Sequence, residues 1–548
     1  MTLAPRFLVN FWAGFRTTRF MRRLRAAGHT ARAQQRTFAR LTSQLSKTEF
    51  GRAAGITRAM NYAQFRQSVP PRTHAHFQPG IARMLAGEED VLWPGRCRLF
   101  VRTAGTTGSA PKLLPVTAEM LAHFRTGLQQ AMWLYAARAG HSGVFLGRHL
   151  QVGASTALQE KDGAYIGNFD GITALSLTPW AEANLHSPPV ALAQMPDGLE
   201  KSTAISLWAR GRDITLIGGA PAAALALADA ARNDASSGKV RVNHLQSVWP
   251  NLECLAYTGA PLGLFAVALR AACGPGVGLH EIYAAAEGWF AAQEFTGAQG
   301  LRLLGDAGIF FEFLPLAAFR DDRLENLGGR CQPVEKVEPG TDYVPLVTTP
   351  AGLTRCVVGD IVRFVSVDPP RLVFVGRTDL QLNSFGENVS ERELTDTLLE
   401  VCTRHGWQAV NFHVAPFQFR TAIGATRACH EWWVELRSGT VKTPTSAGLG
   451  PELDAELARR NRDYAAKRQA RGLDEPAVRL VIPGVFEQWA QAQPVFDGPG
   501  KMPRCRSDRL IADSLAAITR FHSATQAPFP PADSRPPPGR NSREPFGK

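Results

Sequence analysis

The densest concentration of residues able to do chemistry is the run Thr103-Ala104-Gly105-Thr106-Thr107-Gly108-Ser109-Ala110-Pro111-Lys112. Gly105 and Gly108 let backbone N–H groups approach an anion with no Cβ in the way. Thr106, Thr107 and Ser109 add hydroxyl donors, and Lys112 adds a mobile positive charge. A polar surface turn is the alternative. So many hydroxyls, glycines and a lysine, directly behind an apolar run at Leu99-Phe100-Val101, favour phosphate binding. The run is not a Walker A loop, which needs Gly-x-x-x-x-Gly-Lys-Ser/Thr. Here Ser109-Ala110-Pro111 separate Gly108 from the lysine, which weakens kinase and GTPase readings.

A metal reading is weaker. Cys402-x-x-His405 and Cys429-His430 have zinc-ligand residue types, but no second spaced pair supports them and no CxxC occurs among the eight cysteines. The scattered cysteines read as reduced and buried, as in a cytoplasmic protein.

The elements that must hold the phosphate loop follow from periodicity. Leu99–Val101, Ile214–Ile217, Leu255–Tyr257 and Ile282-Tyr283 read as short strands, each followed by small residues. Strands alternating with helices predict an α/β architecture, with ligands at the strand ends. Residues 361–365 and 372–375 read as a hairpin around Pro369-Pro370. After Gly376, Ser390-x-x-Glu393 is a capping box opening a helix. Strands at 409–415 and 432–436, a helix over about 452–470 and a strand at 478–482 complete a compact α+β unit. A domain boundary is expected near 377–389.

The 548-residue chain has a net charge of +13, which invites a nucleic-acid or membrane reading. Its location argues otherwise. Residues 1–48 contain ten Lys and Arg and no Asp or Glu, and the tail from Gln526 adds two net positive charges. The body is nearly neutral, so nucleic acid is not expected as a partner. The leader is expected to be helical and to pack its apolar side on the body. An Arg-rich amphipathic segment of this kind can also rest weakly on a membrane surface. Residues 526–548, with Pro536-Pro537-Pro538, read as a disordered tail.

Taken together, the motifs resemble those of the adenylate-forming superfamily, which includes acyl-CoA synthetases and firefly luciferase. Tyr283-Ala284-Ala285-Ala286-Glu287, Val358-Gly359-Asp360, Gly376-Arg377-Thr378-Asp379 and Gly500-Lys501-Met502-Pro503-Arg504 follow the phosphate loop in that superfamily's order. Finer features resemble the Gretchen Hagen family of acyl acid–amido synthetases. They are Lys47-Thr48-Glu49-Phe50-Gly51, Trp249-Pro250-Asn251 followed by Thr258-Gly259-Ala260, and the ending Lys501-Met502-Pro503-Arg504-Cys505. The resemblance covers about residues 35–515. Ala104, Ala286 and Cys356 depart from the family pattern.

The resemblance implies a large N-terminal adenylate-forming domain (α/β subdomains plus β-barrel elements) and a smaller, mobile α+β C-terminal domain. The divisions expected are a basic helical leader at 1–48, an ATP- and acyl-binding domain at 49–380, a C-terminal domain at 381–525, and the tail. It implies ATP and Mg²⁺ as cofactors and a carboxylic acid plus an amine, such as an amino acid, as substrates. An acyl-CoA ligase on the same scaffold and a non-enzymatic membrane-surface protein are the alternatives. By resemblance, Thr103, Gly105, Thr106, Thr107, Gly108 and Lys112 hold the phosphates. Tyr283, Asp360 and Arg377 hold the nucleoside, Glu287 binds Mg²⁺, and Lys501 with Glu287 is catalytic. The acyl pocket is sought among residues 150–290, with Tyr165, Phe169, Trp180, Tyr257 and Trp289 as candidate walls.

Overall fold

The computed structural model describes residues 5–103, 112–235, 242–259, 262–297, 299–321, 323–421, 424, 426–437, 444–492 and 502–522. Gly105, Thr106, Thr107, Gly108, Lys501 and the Pro-rich tail lie outside the described residues.

The apolar runs predicted as strands form one half of a large mixed sheet. His186–Ser187, Arg148–Val152, Ile214–Gly219, Cys254–Tyr257 and Gly278–Ala285 lie side by side and parallel. Their near-continuous apolar character fits strands covered on both faces. The Ile282-Tyr283 strand is longer than its apolar pair suggested, because Gly278 to Glu281 continue the pairing with Cys254–Tyr257. At Gly278–Ala285 the sheet turns antiparallel and runs on through Gly288–Gln293, Leu301–Leu303, Pro370–Arg377, Asp360–Val367, Asp342–Thr348 and Phe310–Pro315. The β-barrel elements expected are therefore antiparallel strands continuing the parallel sheet. A separate four-stranded sheet pairs Leu99–Arg102 with Leu113–Val116 and Ala164–Asn168.

The antiparallel half contains the buried ion pair Arg355–Glu312. Arg355 donates through Nε and Nη2 to the Glu312 carboxylate at 2.9 and 2.8 Å. Its remaining N–H groups go to the carbonyls of Arg66, Val69 and Gly328, and Tyr62 donates its hydroxyl to Glu312 at 2.9 Å. With both side chains essentially inaccessible, this geometry is what makes a buried charge pair tolerable.

The leader forms two helices, Arg6–Leu24 and His29–Leu45. The second docks by a buried amide: Gln34 donates to the carbonyls of Gly305 and Ile309 and accepts from the Phe311 N–H at 2.7 Å. The first packs on Ala118–Ala139, but not by the apolar run that begins it. Ala13, Thr17, Phe20, Met21 and Leu24 are buried, while Phe7, Leu8, Phe11, Trp12 and Phe15 face outward. The leader is helical and packs an apolar side on the body, as expected, and the first helix carries a second, exposed apolar face that the sequence reading did not anticipate.

Beyond Leu382 a second core gathers around a three-stranded sheet, Ala409–Arg420, Thr426–Leu436 and Ala477–Val481. The capping box forms: Ser390 Oγ accepts from the Glu393 N–H, and the Glu393 carboxylate accepts from the Ser390 N–H at 2.8 Å. The two long strands extend past the predicted limits. The single helix expected over 452–470 is two, Ser446–Arg460 and Arg462–Gln469. Asn461 breaks it by adopting extended backbone and accepting from the Tyr464 N–H at 2.8 Å through its side chain. That cap supplies the second helix with a start the helical periodicity concealed.

Candidate active site

The site is built where the parallel strands end. Gly278–Ala285 and Gly288–Gln293 are joined by the two-residue turn Ala286-Glu287, which puts the Glu287 carboxyl at a tip. Gly288 follows at φ +154°, and a Cβ there would also meet Ile309 Cδ1 at 2.2 Å. The turn's position therefore depends on a glycine.

From the same strand, the Tyr283 hydroxyl donates to Asp360 Oδ2 at 2.6 Å. Its ring rests edge-on against Phe290 and Phe374, which fixes the direction of the hydroxyl. Asp360 begins one strand of the 360–377 hairpin, and Arg377 ends the other directly opposite it. Arg377 Nε lies 3.4 Å from Asp360 Oδ1. The Thr378 N–H donates to the Gly359 carbonyl at 2.8 Å and closes the mouth of the hairpin. A strand end, a hairpin mouth and a turn tip thus converge with Tyr283, Asp360, Arg377 and Glu287.

The electrostatics of this cluster are those of a buried polar pocket. Burial raises the Glu287 carboxyl above its ordinary value; Lys112 and Arg377 pull it back, and Asp360 pushes with the burial. Burial likewise raises Asp360, against the Arg377 charge and the Tyr283 hydrogen bond. Burial, reinforced by the Asp360 charge, lifts the Tyr283 phenol well above its usual range, so it stays a donor. Burial works to lower the Arg377 guanidinium, but Asp360, Glu391, Asp379 and Glu287 together hold it above its ordinary value. Cys356, which stands where the family pattern has an aromatic, has its thiol raised by burial and by the Glu287 charge.

The run read as a phosphate loop is flanked by Leu99–Arg102 and Leu113–Val116 of the four-stranded sheet. Its ends are tied together: the Thr103 N–H donates to the Lys112 carbonyl at 2.9 Å, and the Lys112 N–H donates to Thr103 Oγ1 at 3.3 Å. The loop between them is outside the described residues, but its neck is closed and Lys112 acts on both Glu287 and Asp360.

The proposed pocket walls separate. Tyr257 is buried at the end of its strand, with its hydroxyl donating to Glu281 Oε2 at 3.2 Å. Just beyond it, Thr258 Oγ1 is buried with no partner among the described residues. Trp289 is buried close to Glu287 in the chain, its backbone N–H donating to His123 Nε2 at 2.9 Å and its Cβ pressed against Gly127. Tyr165 pairs with Leu99, at the far end of the strand pair from the loop, and is 40% exposed. The structure does not bring Tyr165 to the cluster.

Lys501 lies outside the described residues, yet the chain that follows it is anchored at the same place. Met502 is buried in a small cluster with Trp433, Phe486 and Trp489. Pro503 accepts from the His413 ring at 2.9 Å, the Val414 N–H donates to the Arg504 carbonyl at 2.8 Å, and Cys505 donates to the Leu380 carbonyl. The Arg504 N–H donates to Glu391 Oε1 at 2.8 Å. Burial raises the Glu391 carboxyl, against Arg504 and Arg377. Glu391 therefore lies between the segment after Lys501 and Arg377 of the Tyr283–Asp360 cluster. Sequence reasoning missed it: as the first residue of a capped helix it reads as an ordinary acid at the positive end of the helix dipole. Only the fold brings it to Gly376 of the Gly376–Asp379 motif, and no spacing in the sequence signals that.

Models of three domains of one family match the chain in order: the GH3 family N-terminal domain over residues 21–208, the central domain over 303–377 and the C-terminal domain over 392–510. Two rice proteins are similar in sequence. A probable indole-3-acetic acid-amido synthetase GH3.9 from Oryza sativa subsp. japonica is 29% identical, over 38% of this chain and 48% of that protein. Indole-3-acetic acid-amido synthetase GH3.8 from Oryza sativa subsp. indica is 28% identical, over 38% of this chain and 35% of that protein. The chain thus matches at most about half the length of these relatives. Among solved structures, the GH3.15 acyl acid amido synthetase in complex with 2,4-DB superposes with a TM-score of 0.72 at 17% identity, covering 89% of this chain and 94% of that one. A 2-hydroxyisobutyryl-CoA ligase with its acyl-AMP superposes with a TM-score of 0.56 at 17% identity, covering 90% and 91%. The fold is that of the adenylate-forming enzymes, with a large N-terminal and a smaller C-terminal domain. With its three domains matched in order over more than half its length, the chain belongs to the GH3 family.

Proposed function

We propose that this protein is an ATP-dependent acyl acid–amido synthetase. A carboxylate oxygen attacks the α-phosphorus of ATP, the bond to the β-phosphate oxygen breaks, and pyrophosphate leaves. An amine then attacks the acyl carbonyl, the carbon–oxygen bond to AMP breaks, and an amide forms as the amine gives up a proton. The observation that carries the reading is the convergence of Tyr283, Asp360, Arg377 and Glu287 at the end of the parallel strands, facing the neck of the phosphate loop.

In this reading Asp360, oriented by Tyr283 and Arg377, accepts from the ribose hydroxyls. Charge developing on phosphate oxygens is met by the loop's N–H groups, Thr106, Thr107, Lys112 and, from the smaller domain, Lys501. Glu287 fits a Mg²⁺ ligand. It is a carboxylate at a turn tip, in a pocket that penalises its own charge, with no ion-pair partner among the described residues. A hard cation bound there takes one carboxylate plus phosphate oxygens, the usual Mg²⁺ arrangement. When bound, it would neutralise phosphate charge. Residues 381–525 act as a mobile unit that brings Lys501 to the site, and Thr258 and Trp289 border the acyl group.

The test is pyrophosphate release from ATP with pooled carboxylic acids, with and without amino acids or coenzyme A. Acid-dependent release, with AMP formation driven by amino acids, is expected. No release with any acid, from folded protein with Mg²⁺ present, overturns the reading. Turnover driven by coenzyme A instead moves it to an acyl-CoA ligase.

A further inference from the structure

The first helix carries a surface that the adenylation site does not use. Successive helical residues turn by about 100°. On Arg6–Leu24 this places the buried stripe of Ala13, Thr17, Phe20, Met21 and Leu24 on one side. Phe7, Leu8, Phe11, Trp12 and Phe15 fall on the opposite side, over the first turns. The same outward side continues into Arg19 and Arg22, both exposed. Phe7, Phe11 and Phe15 are 71%, 75% and 57% exposed. The sparing of these rings from the core is not for want of packing, since the helix is seated firmly by its other face. Trp12 marks the border, with its ring 6.1 Å from that of Trp180 and the Arg16 guanidinium 5.6 Å from its centroid.

A contiguous row of large apolar side chains on a rigid helix is a docking surface in most soluble proteins. Charge identifies the occupant. The leader carries ten Lys and Arg and no acid through residue 48; Arg6 and Arg23 pair with Asp213 and Asp306 of the body, while Arg19 and Arg22 are exposed on the outward side and favour an anionic surface there. A second copy laid parallel on this face would set Arg19 and Arg22 of each against the other's, which repels, and one laid antiparallel would cover the rings but give those arginines no anionic partner. An anionic bilayer offers both parts at once: acyl chains for the phenylalanines and headgroup phosphates for the arginines. No helix among the described residues is long and apolar enough to cross a membrane, so the helix would lie in the interface plane.

We propose that the outward face of Arg6–Leu24 docks the protein on an anionic lipid surface, with Phe7, Phe11 and Phe15 inserted and Arg19 and Arg22 on the headgroups. This is independent of the adenylation reading, because none of these residues touches the Tyr283–Asp360 site.

The test is sedimentation of the full chain with vesicles of phosphatidylcholine alone, or mixed with phosphatidylglycerol, at low and high salt. Sedimentation with the anionic vesicles that falls as salt is added is expected. Replacing Phe7→Ser, Phe11→Ser and Phe15→Ser together should lower partitioning at least about ten-fold. Arg19→Gln and Arg22→Gln should each lower it about five-fold. All these side chains are exposed, so an unchanged circular dichroism spectrum and melting temperature are expected for the variants. Failure of the wild type to sediment at low salt, equal sedimentation with neutral vesicles, or undiminished binding of the triple serine variant would overturn the proposal. So would a wild-type dimer in sedimentation velocity that the serine variant converts to monomer without any vesicle binding.

Discussion

Asp360 holds three relationships at once: a short hydrogen bond from Tyr283, an ion pair with Arg377, and burial that raises its carboxyl. Removing any one should be read in the nucleotide requirement before it is read in stability. Tyr283→Phe deletes a hydrogen bond to a charged group, a change of roughly 1.5–3 kcal/mol. It should raise KM for ATP by about ten-fold or more and lower the stability by no more than that amount; an unaltered KM would count against the role given to Asp360. Arg355 is a different kind of residue. Arg355→Met leaves Glu312 buried without its cation, which should destabilise the fold by about 3–5 kcal/mol in urea unfolding. A loss below 1 kcal/mol would mean water reaches that pair. At this scale the sequence was partly legible. The types and order of Tyr283, Glu287, Asp360 and Arg377 were readable from motifs. The Arg355–Glu312 pair was not, because 43 residues separate its members and only the pairing of Phe310–Pro315 with Asp342–Thr348 brings them together.

Elements decide how those residues meet. Strand periodicity located the parallel strands, since apolar runs bounded by small residues survive any tertiary context. It did not show that the antiparallel strands would extend the same sheet, which depends on long-range pairing. The break at Asn461 was hidden because Asn lowers helix propensity only slightly, while its side-chain cap acts through geometry that spacing does not reveal. The helix Glu391–His405 has a use that its capping box did not announce: its first carboxylate receives the Arg504 N–H and so ties the segment after Lys501 to the start of this helix. Glu391→Ala should therefore lower kcat for pyrophosphate release by about ten-fold, more than it raises KM for ATP, by releasing one charge-assisted hydrogen bond. Glu391→Gln, which still accepts that N–H, should recover most of the rate. Equal losses in both variants would mean that the charge matters and the positioning does not.

For the whole molecule, burial of neutral imidazoles sets a pH limit on the fold. Burial pushes His123 and His413 down to about 4 and His280 to about 3. The unfolded chain binds these protons from about pH 6.5, so the stabilisation is intact above that value and is lost as pH falls toward 4. Each imidazole contributes a slope of up to about 1.4 kcal/mol per pH unit in that window. His280→Gln should flatten the profile of urea midpoint against pH by up to one proton; parallel profiles for variant and wild type would show that His280 titrates normally in the folded state. The net charge, the most conspicuous number in the sequence, bears on the leader and not on the site, whose surroundings are nearly neutral. The acyl-adenylate is the intermediate on which the proposed chemistry turns. If the site forms one, a carboxylic acid labelled with ¹⁸O in its carboxylate must pass one labelled oxygen to phosphorus before the amine arrives. Mass spectrometry of the AMP made during amide formation should find one ¹⁸O per molecule. Unlabelled AMP, or label appearing in inorganic phosphate with ADP as the nucleotide product, would contradict the account.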